Sequence, residues 1–388
     1  MKIVGIERFP ITLQPAGKGL LQSDHLPPQT IIIVLRTDTG LTGLGEAAIV
    51  SSDDSRTLLT LLNWLKVYES ALIGADAVNI NAAHYVLDRA SGQHPPGCQT
   101  ARAAIDMALH DVIGKARGCP VHEILGGAYR SEIELCTKIV GETPEAAVTS
   151  ACAAVNRRYR GLRIGIGGVV LPPAQLFADV EKKCQLLLAV LEAVGTDISV
   201  VADANQSLGN PALVSRMFES LLAKRMYTNL SLQQPLHKSD LKGHAFLRER
   251  LRVPVVLSES VISVETMMQI ELTCAADRIE LSIERVGGLS NAIRIADICE
   301  AAAIGIIPAA TSYAGIGLAA DCHLAVAIRD PFPLDIGKQN RLFRSPVLGG
   351  PEIRDGLAEL HNAPGLGVEL DEDLLHAMRT KADVPQVH

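Results

Sequence analysis

The sequence predicts an α/β protein in which a parallel β/α barrel follows a smaller α+β unit, and three observations carry that reading. Beyond residue 127, eight short apolar segments recur at intervals of roughly 25–37 residues, the length of one β/α unit. Amphipathic stretches such as 173–193 and 290–302 fill most of the gaps. The first third has a different order, with strand-like segments first and helical ones after. Residues 1–127 therefore read as one unit and 128–344 as the barrel, while 345–388 fit no further repeat and are expected to rejoin the first unit.

The elements follow in order. Residues 2–12 alternate as a strand would, 30–36 are rich in β-branched residues, and the turn Thr37-Asp38-Thr39-Gly40 leads into a third strand at 41–47, giving an antiparallel meander. Residues 55–91 and 99–117 read as helices. In the second, Ala101, Ala104, Ile105, Ala108, Leu109 and Val112 recur every three or four residues, and Gly118 and Pro120 stop it. The barrel strands fall near 133–138, 161–166, 198–203, 229–233, 254–258, 278–282, 304–308 and 333–336. Barrel chemistry gathers at the C-terminal ends of the strands, so Lys138, Arg163, Gly165, Asp203, Asn205, Gln233, Ser258, Glu259, Ser282, Ala309, Ala310 and Asp335 are the positions to read.

Composition narrows the partners. A net charge of −7 leaves no basic footprint for nucleic acid. The longest apolar runs, 30–35 and 301–310, are too short to span a bilayer, and residues 1–7 do not read as a signal peptide. None of the eight cysteines forms a Cys-x-x-Cys pair, which fits reduced thiols and a cytoplasmic protein.

Several strings, in order along the chain, carry a family resemblance: TGLGEA at 42–47, AAIDMALHDVIGKARGCPVHEILGG at 103–127, Asp203-Ala204-Asn205, Gln234-Pro235, and RVGGL at 285–289. Together they resemble the muconate lactonizing enzyme and mandelate racemase branches of the enolase superfamily. The resemblance implies a modified (β/α)7β TIM-like barrel under an N-terminal α+β capping domain. It also implies a Mg2+ site, a small-molecule carboxylate substrate, proton abstraction α to the carboxylate, and an oligomer that is octameric or dimeric. A hard cation offsets the charge of the enediolate and needs oxygen ligands.

At the chemical positions the sequence departs from the family. Asp203 keeps the first ligand position and Gln233 replaces the second carboxylate, while Ser258-Glu259 stand at the third. The strand-two Lys-x-Lys is Arg163-Ile164-Gly165, the strand-six Lys is Ser282, and strand seven ends without a His. Mg2+ is therefore expected to bind weakly or not at all. Arg163 holds its proton and is a carboxylate clamp, for substrate or for Asp203. Ser282 can orient a proton but does not replace a Lys. Glu280 shares the inward face of its strand and is the candidate base, or else a salt-bridge partner of Arg278 or Arg285. Asn205, Lys138 and Tyr313 are candidate substrate contacts, with Tyr313 also a candidate acid, and His237 reads as a loop residue. Substrate-choosing loops are expected at 14–28 and 50–56, and Gly167-Gly168 reads as turn chemistry.

Three functions stay open: an isomerase or lyase with an altered acid/base set, a non-catalytic ligand-binding barrel, and an ordinary Mg2+-dependent racemase, cycloisomerase or dehydratase. With no single competent base in view, no solvent deuterium is expected to enter dipeptides, N-acylamino acids or acid sugars.

Overall fold

The computed structural model describes residues 1–15, 27–49, 57–167, 173–222, 227–336 and 343–379. The expected mouth loops at 16–26 and 50–56, Gly168 and the last residues of the tail lie outside the described residues.

An antiparallel sheet opens the fold, in the order Ile3–Thr12, Gln29–Thr37, Thr42–Ile49. Its inner face packs on the helix Gln99–Arg117, which is buried from Thr100 to Gly114. The TGLGEA string explains the closeness of that packing. A Cβ at Gly43 or Gly45 would sit 1.9 Å from the carbonyl oxygens of Ala108 and Ala104, so only glycine lets strand and helix backbones touch. The helix ends at Gly118, in the left-handed conformation. The expected helix at 55–91 is instead two, Leu58–Leu72 and Ile80–Ala90. Gly74 takes a positive φ of 83°, and Asn79 caps the second helix by accepting from the Ala82 N–H.

The barrel is closed. Its parallel strands are Glu132–Lys138, Gly161–Gly165, Ser199–Asp203, Leu230–Gln233, Val255–Leu257, Arg278–Leu281, Gly305–Pro308 and Leu334–Asp335. The eighth pairs with the first through Leu334–Leu135 and Asp335–Cys136, and Ala309 bridges to Asp335 to complete the ring. The first two barrel strands, like the third and fourth, bring their C-terminal residues into register, with Lys138 opposite Arg163 and Asp203 opposite Gln233.

Buried polar ties fix the sheet-and-helix unit on the barrel. Asp106 on the long helix accepts from His84 Nε2 at 2.5 Å and from Ser290 Oγ on a barrel helix at 2.6 Å. Glu46 accepts from the N–H groups of Tyr313, Ala314 and Gly317 at 2.9, 2.7 and 3.1 Å, which seats it on the loop after the seventh strand. The tail contributes to both parts. Its hairpin Glu352–Arg354/Leu357–Glu359 pairs with the first barrel strand, Gly365 bridges to Pro120, and Arg379 bridges to Ile11. Among the described residues no helix is long and apolar enough to cross a membrane. All eight cysteines are free thiols.

Candidate active site

The strand ends converge on one guanidinium. Arg163, at the end of the second barrel strand, is mostly buried, with 16% of its side chain exposed. Its Nη1 stands 3.4 Å from Asp203 Oδ2. Its Nη2 pairs with Glu280 Oε2. Its Nε lies 2.5 Å from Asp335 Oδ2, close in charge though not aligned as a hydrogen bond. Three carboxylates from the third, sixth and eighth strands thus share one side chain from the second. Burial works against the Arg163 charge, but Asp335, Glu280 and Asp203 outweigh it and hold its proton more firmly than usual.

This changes two expectations. Arg163 is read from the sequence as a clamp for the substrate carboxylate, but its donors are already committed to carboxylates of the protein. Glu280 is read as a base with a raised pKa. Burial does push it upward, but the charges of Arg163 and Arg285 and the hydrogen bonds from Ser258 and Arg163 push harder, to about 2. Ser258 Oγ donates to Glu280 Oε1 at 2.7 Å and Gln233 Nε2 donates to Oε2 at 3.0 Å. A carboxylate so furnished with donors is a poor base at neutral pH. The partner Arg278 does not take part, since its guanidinium lies over the Phe332 ring at 4.0 Å.

The family's ligand positions look different. Gln233 points its amide nitrogen at Glu280, which leaves its Oε1 buried with no donor among the described residues. Glu259 accepts only a long 3.5 Å bond from Gln206 at Oε1, and its buried Oε2 likewise has no hydrogen-bond donor. Asp203 Oδ1 accepts from the Asn205 N–H at 3.1 Å, and burial, only partly opposed by Arg163, lifts its carboxyl to about 6. Ser258 faces Glu280 rather than these oxygens. Asp203, Glu259, Glu280 and Asp335 face Arg163 and Arg285, so four carboxylates meet two guanidiniums and two negative charges stay uncompensated. That deficit equals one divalent cation. Unsatisfied buried oxygens with an unmet double charge fit a hard cation held by Asp203, Gln233 and Glu259. No group of three Asp, Glu, His or Cys side chains stands together among the described residues, because the third donor here is an amide.

The other candidates lie as follows. Lys138 is exposed at the end of the first strand. Asn205 is exposed, has a positive φ of 45°, and touches Asp203 through its backbone. Tyr313 is half-buried and is tied by its backbone to Glu46. His237 binds Ser239 in an exposed loop. Ser282 is 1% exposed, and its Oγ is 3.2 Å from Thr311 Oγ1, which donates at 3.0 Å to Glu284 Oε2. Gln234 turns away from the mouth and ties its loop to the next, accepting from Ser258 N at 2.8 Å and donating to Ser260 Oγ at 2.9 Å.

Sequence reasoning passed over Thr311 and Glu284, and named Asp335 as a strand end without giving it a partner. Only the eighth strand's return beside the first puts Asp335 against Arg163. Glu284 stands two residues beyond Ser282, a spacing that is visible in the sequence.

Comparison with known proteins gives the same lineage from two directions. Residues 25–126 match the mandelate racemase / muconate lactonizing enzyme N-terminal domain, and residues 146–374 match the enolase C-terminal domain-like family. An N-succinyl-L-Arg/Lys racemase of Bacillus cereus is 27% identical, across 99% of this chain and all of that protein. The muconate lactonizing enzyme of Pseudomonas putida superposes with a TM-score of 0.85 at 25% identity, covering 98% of this chain and all of that one. A dipeptide epimerase of Enterococcus faecalis, solved with Mg and the dipeptide L-Leu-L-Tyr, superposes with a TM-score of 0.79 at 26% identity, over 95% of this chain and all of that one.

Proposed function

The chain belongs to the mandelate racemase/muconate lactonizing enzyme family of the enolase superfamily, and from that premise we propose that it is a divalent-cation-dependent isomerase acting on a small carboxylate with an acidifiable α-C–H bond. The relatives are racemases, epimerases and cycloisomerases, which favours the ordinary metal-dependent reading over one in which the metal has been given up. The observation that carries the proposal is the pair of buried acceptors without donors, Gln233 Oε1 and Glu259 Oε2, in the family's ligand positions near Asp203.

When bound, Mg2+ there would supply positive charge for the enediolate formed by loss of the α-proton. Asp203, Gln233 and Glu259 would hold it, more weakly than three carboxylates because an amide oxygen carries no full charge. Arg163 neutralises the remaining strand-end carboxylates and fixes Glu280 and Asp335, so that the mouth keeps one vacant charge rather than several. Ser258 and Gln233 orient Glu280 as part of that frame.

A second reading, a ligand-binding barrel without turnover, draws on one observation: positions 163, 165 and 282 carry no lysine. Calorimetry separates the two when Mg2+ is titrated first and N-succinyl-L-arginine or L-Leu-L-Tyr second. The enzyme reading expects the carboxylate to bind only after the cation, and expects the bound compound to be turned over. Binding independent of Mg2+ with no turnover would favour the second reading.

A further inference from the structure

The missing lysine of the sixth strand leaves a question of proton traffic, and the hydrogen bonds around Ser282 answer it. Ser282 follows Glu280 by two residues and shares its inward face. Glu280 itself reaches Arg163 and Gln233 inside the mouth. Ser282 stands at the N-cap of the short helix Ile283–Val286 but makes no capping bond with its side chain. Instead its Oγ lies 3.2 Å from Thr311 Oγ1.

The direction of the chain of bonds is determined by counting protons. Glu284 Oε2 accepts from Thr311 Oγ1 at 3.0 Å, and Glu284 Oε1 accepts from the Ala48 N–H at 3.3 Å. Thr311 has a single hydroxyl proton and spends it on Glu284. Ser282 must then donate to Thr311, which turns the remaining lone pairs of Ser282 away from Thr311. Glu284 is 2% exposed, so a proton reaching it does not pass directly into bulk water. Behind it stand Glu46 and Asp321, two fully buried acids that burial, as the largest cause, makes more reluctant to ionise than usual.

We propose that Ser282, Thr311 and Glu284 form a proton relay that replaces the sixth-strand lysine and serves one face of the bound carboxylate. Ser282 meets the substrate, and Thr311 and Glu284 act through it. In the forward step the α-C–H bond breaks and its electron pair moves into the carboxylate of the substrate. Ser282 Oγ forms the new O–H bond, its original proton passes to Thr311 Oγ1, and the Thr311 proton passes to Glu284 Oε2. Both hydroxyls are restored, and the substrate proton is replaced by one stored on Glu284. The opposite face has no such carrier. Arg163 keeps its proton, and a Cβ built at Gly165 would meet nothing within 4 Å, so that side offers space and no base.

This inference rests on the carboxylate-isomerase reading and narrows it to one-sided chemistry: exchange with retention, or a cycloisomerisation, but not racemisation. The test uses N-succinyl-L-arginine, N-succinyl-L-lysine and L-Leu-L-Tyr in D2O with MgCl2, read by proton NMR at the α position and by chiral chromatography. Deuterium is expected to enter without the D isomer appearing. Thr311→Val, nearly isosteric, should slow exchange on the order of 100-fold or more, Glu284→Gln should do the same, and Thr311→Ser should restore it. Unfolding midpoints of all three variants check that the cap remains seated. Exchange retained in Thr311→Val, or D isomer formed as fast as deuterium enters, overturns the relay. So does an absence of exchange in the unmodified protein. In that case calorimetric binding of Mg2+ and of the same compounds decides whether the isomerase reading survives it.

Discussion

Replacing Arg163 by Met removes the one cation that three strand-end carboxylates share. The side chains have similar length, so the change is mainly one of charge. Asp203, Glu280 and Asp335 are 10%, 4% and 5% exposed, so none can turn to water without moving a strand end. Breaking a buried ion pair from one side costs about 3–5 kcal/mol, because the remaining charge is uncompensated. Arg285, 3.5 Å from Glu280, and protonation of Asp203 limit the loss, so the low end of that range is expected here. The same change takes positive charge away from the cation position. Arg163→Met should therefore lower stability in EDTA and yet bind Mg2+ more tightly, by tenfold or about 1.4 kcal/mol if one charge near the site is removed. Denaturant unfolding with and without MgCl2 measures both quantities on one sample. If Arg163→Met were as stable as the unmodified protein in EDTA, the guanidinium would not hold the strand ends together. If its Mg2+ affinity fell, the cation would not be competing with Arg163 for Asp203.

Three further perturbations follow from other contacts. Gln233→Glu places a second carboxylate against Glu280 in place of a 3.0 Å donor; stability in EDTA should fall by about 1–3 kcal/mol while Mg2+ affinity rises, as calorimetry would record. Gly45→Ala drives a methyl to within 1.9 Å of the Ala104 carbonyl oxygen, and should cost about 1–3 kcal/mol or more in denaturant unfolding. The Asp106–His110 pair makes stability depend on pH. Burial opposes both charges, but the partners outweigh it, lowering Asp106 well below its usual value and raising His110. The Asp106 contribution is present above its unfolded value and lost as pH falls through its folded one. The His110 contribution is present below its unfolded value near 6.5 and lost as pH rises through its raised one. His110→Gln should remove most of the decline on the alkaline side, and an unchanged pH profile would show that the ion pair contributes nothing.

The barrel was legible because its strands are short apolar runs at regular intervals, and the glycines of TGLGEA and the stop at Gly118 marked the cap. The helix at 55–91 was misread as continuous because its apolar period runs past Gly74, whose positive φ turns the chain. Strand-end positions could be listed, but not their partners. Arg163 reaches Asp335 only because the barrel closes, and Glu280 is held ionised by two arginines far from it in sequence or one helical turn beyond. Gln233 and Gln234 are chemically identical neighbours, and only the alternation of the strand end sends one into the mouth and the other into a loop tie. The hydroxyl chain from Ser282 to Glu284 escaped notice because it needs Thr311, which belongs to the loop of the next strand.

The central claim is that the mouth lacks one divalent cation and that Asp203, Gln233 and Glu259 are its donors. A crystal soaked in MnCl2, with data collected for anomalous scattering, tests it most directly. The account predicts a single strong peak in the mouth in contact with the Asp203 and Glu259 carboxylates and the Gln233 carbonyl oxygen, with Arg163 still paired to Glu280 and Asp335. A mouth without anomalous density at saturating Mn2+, or a peak held by Glu280 and Asp335 with Arg163 displaced, would contradict it.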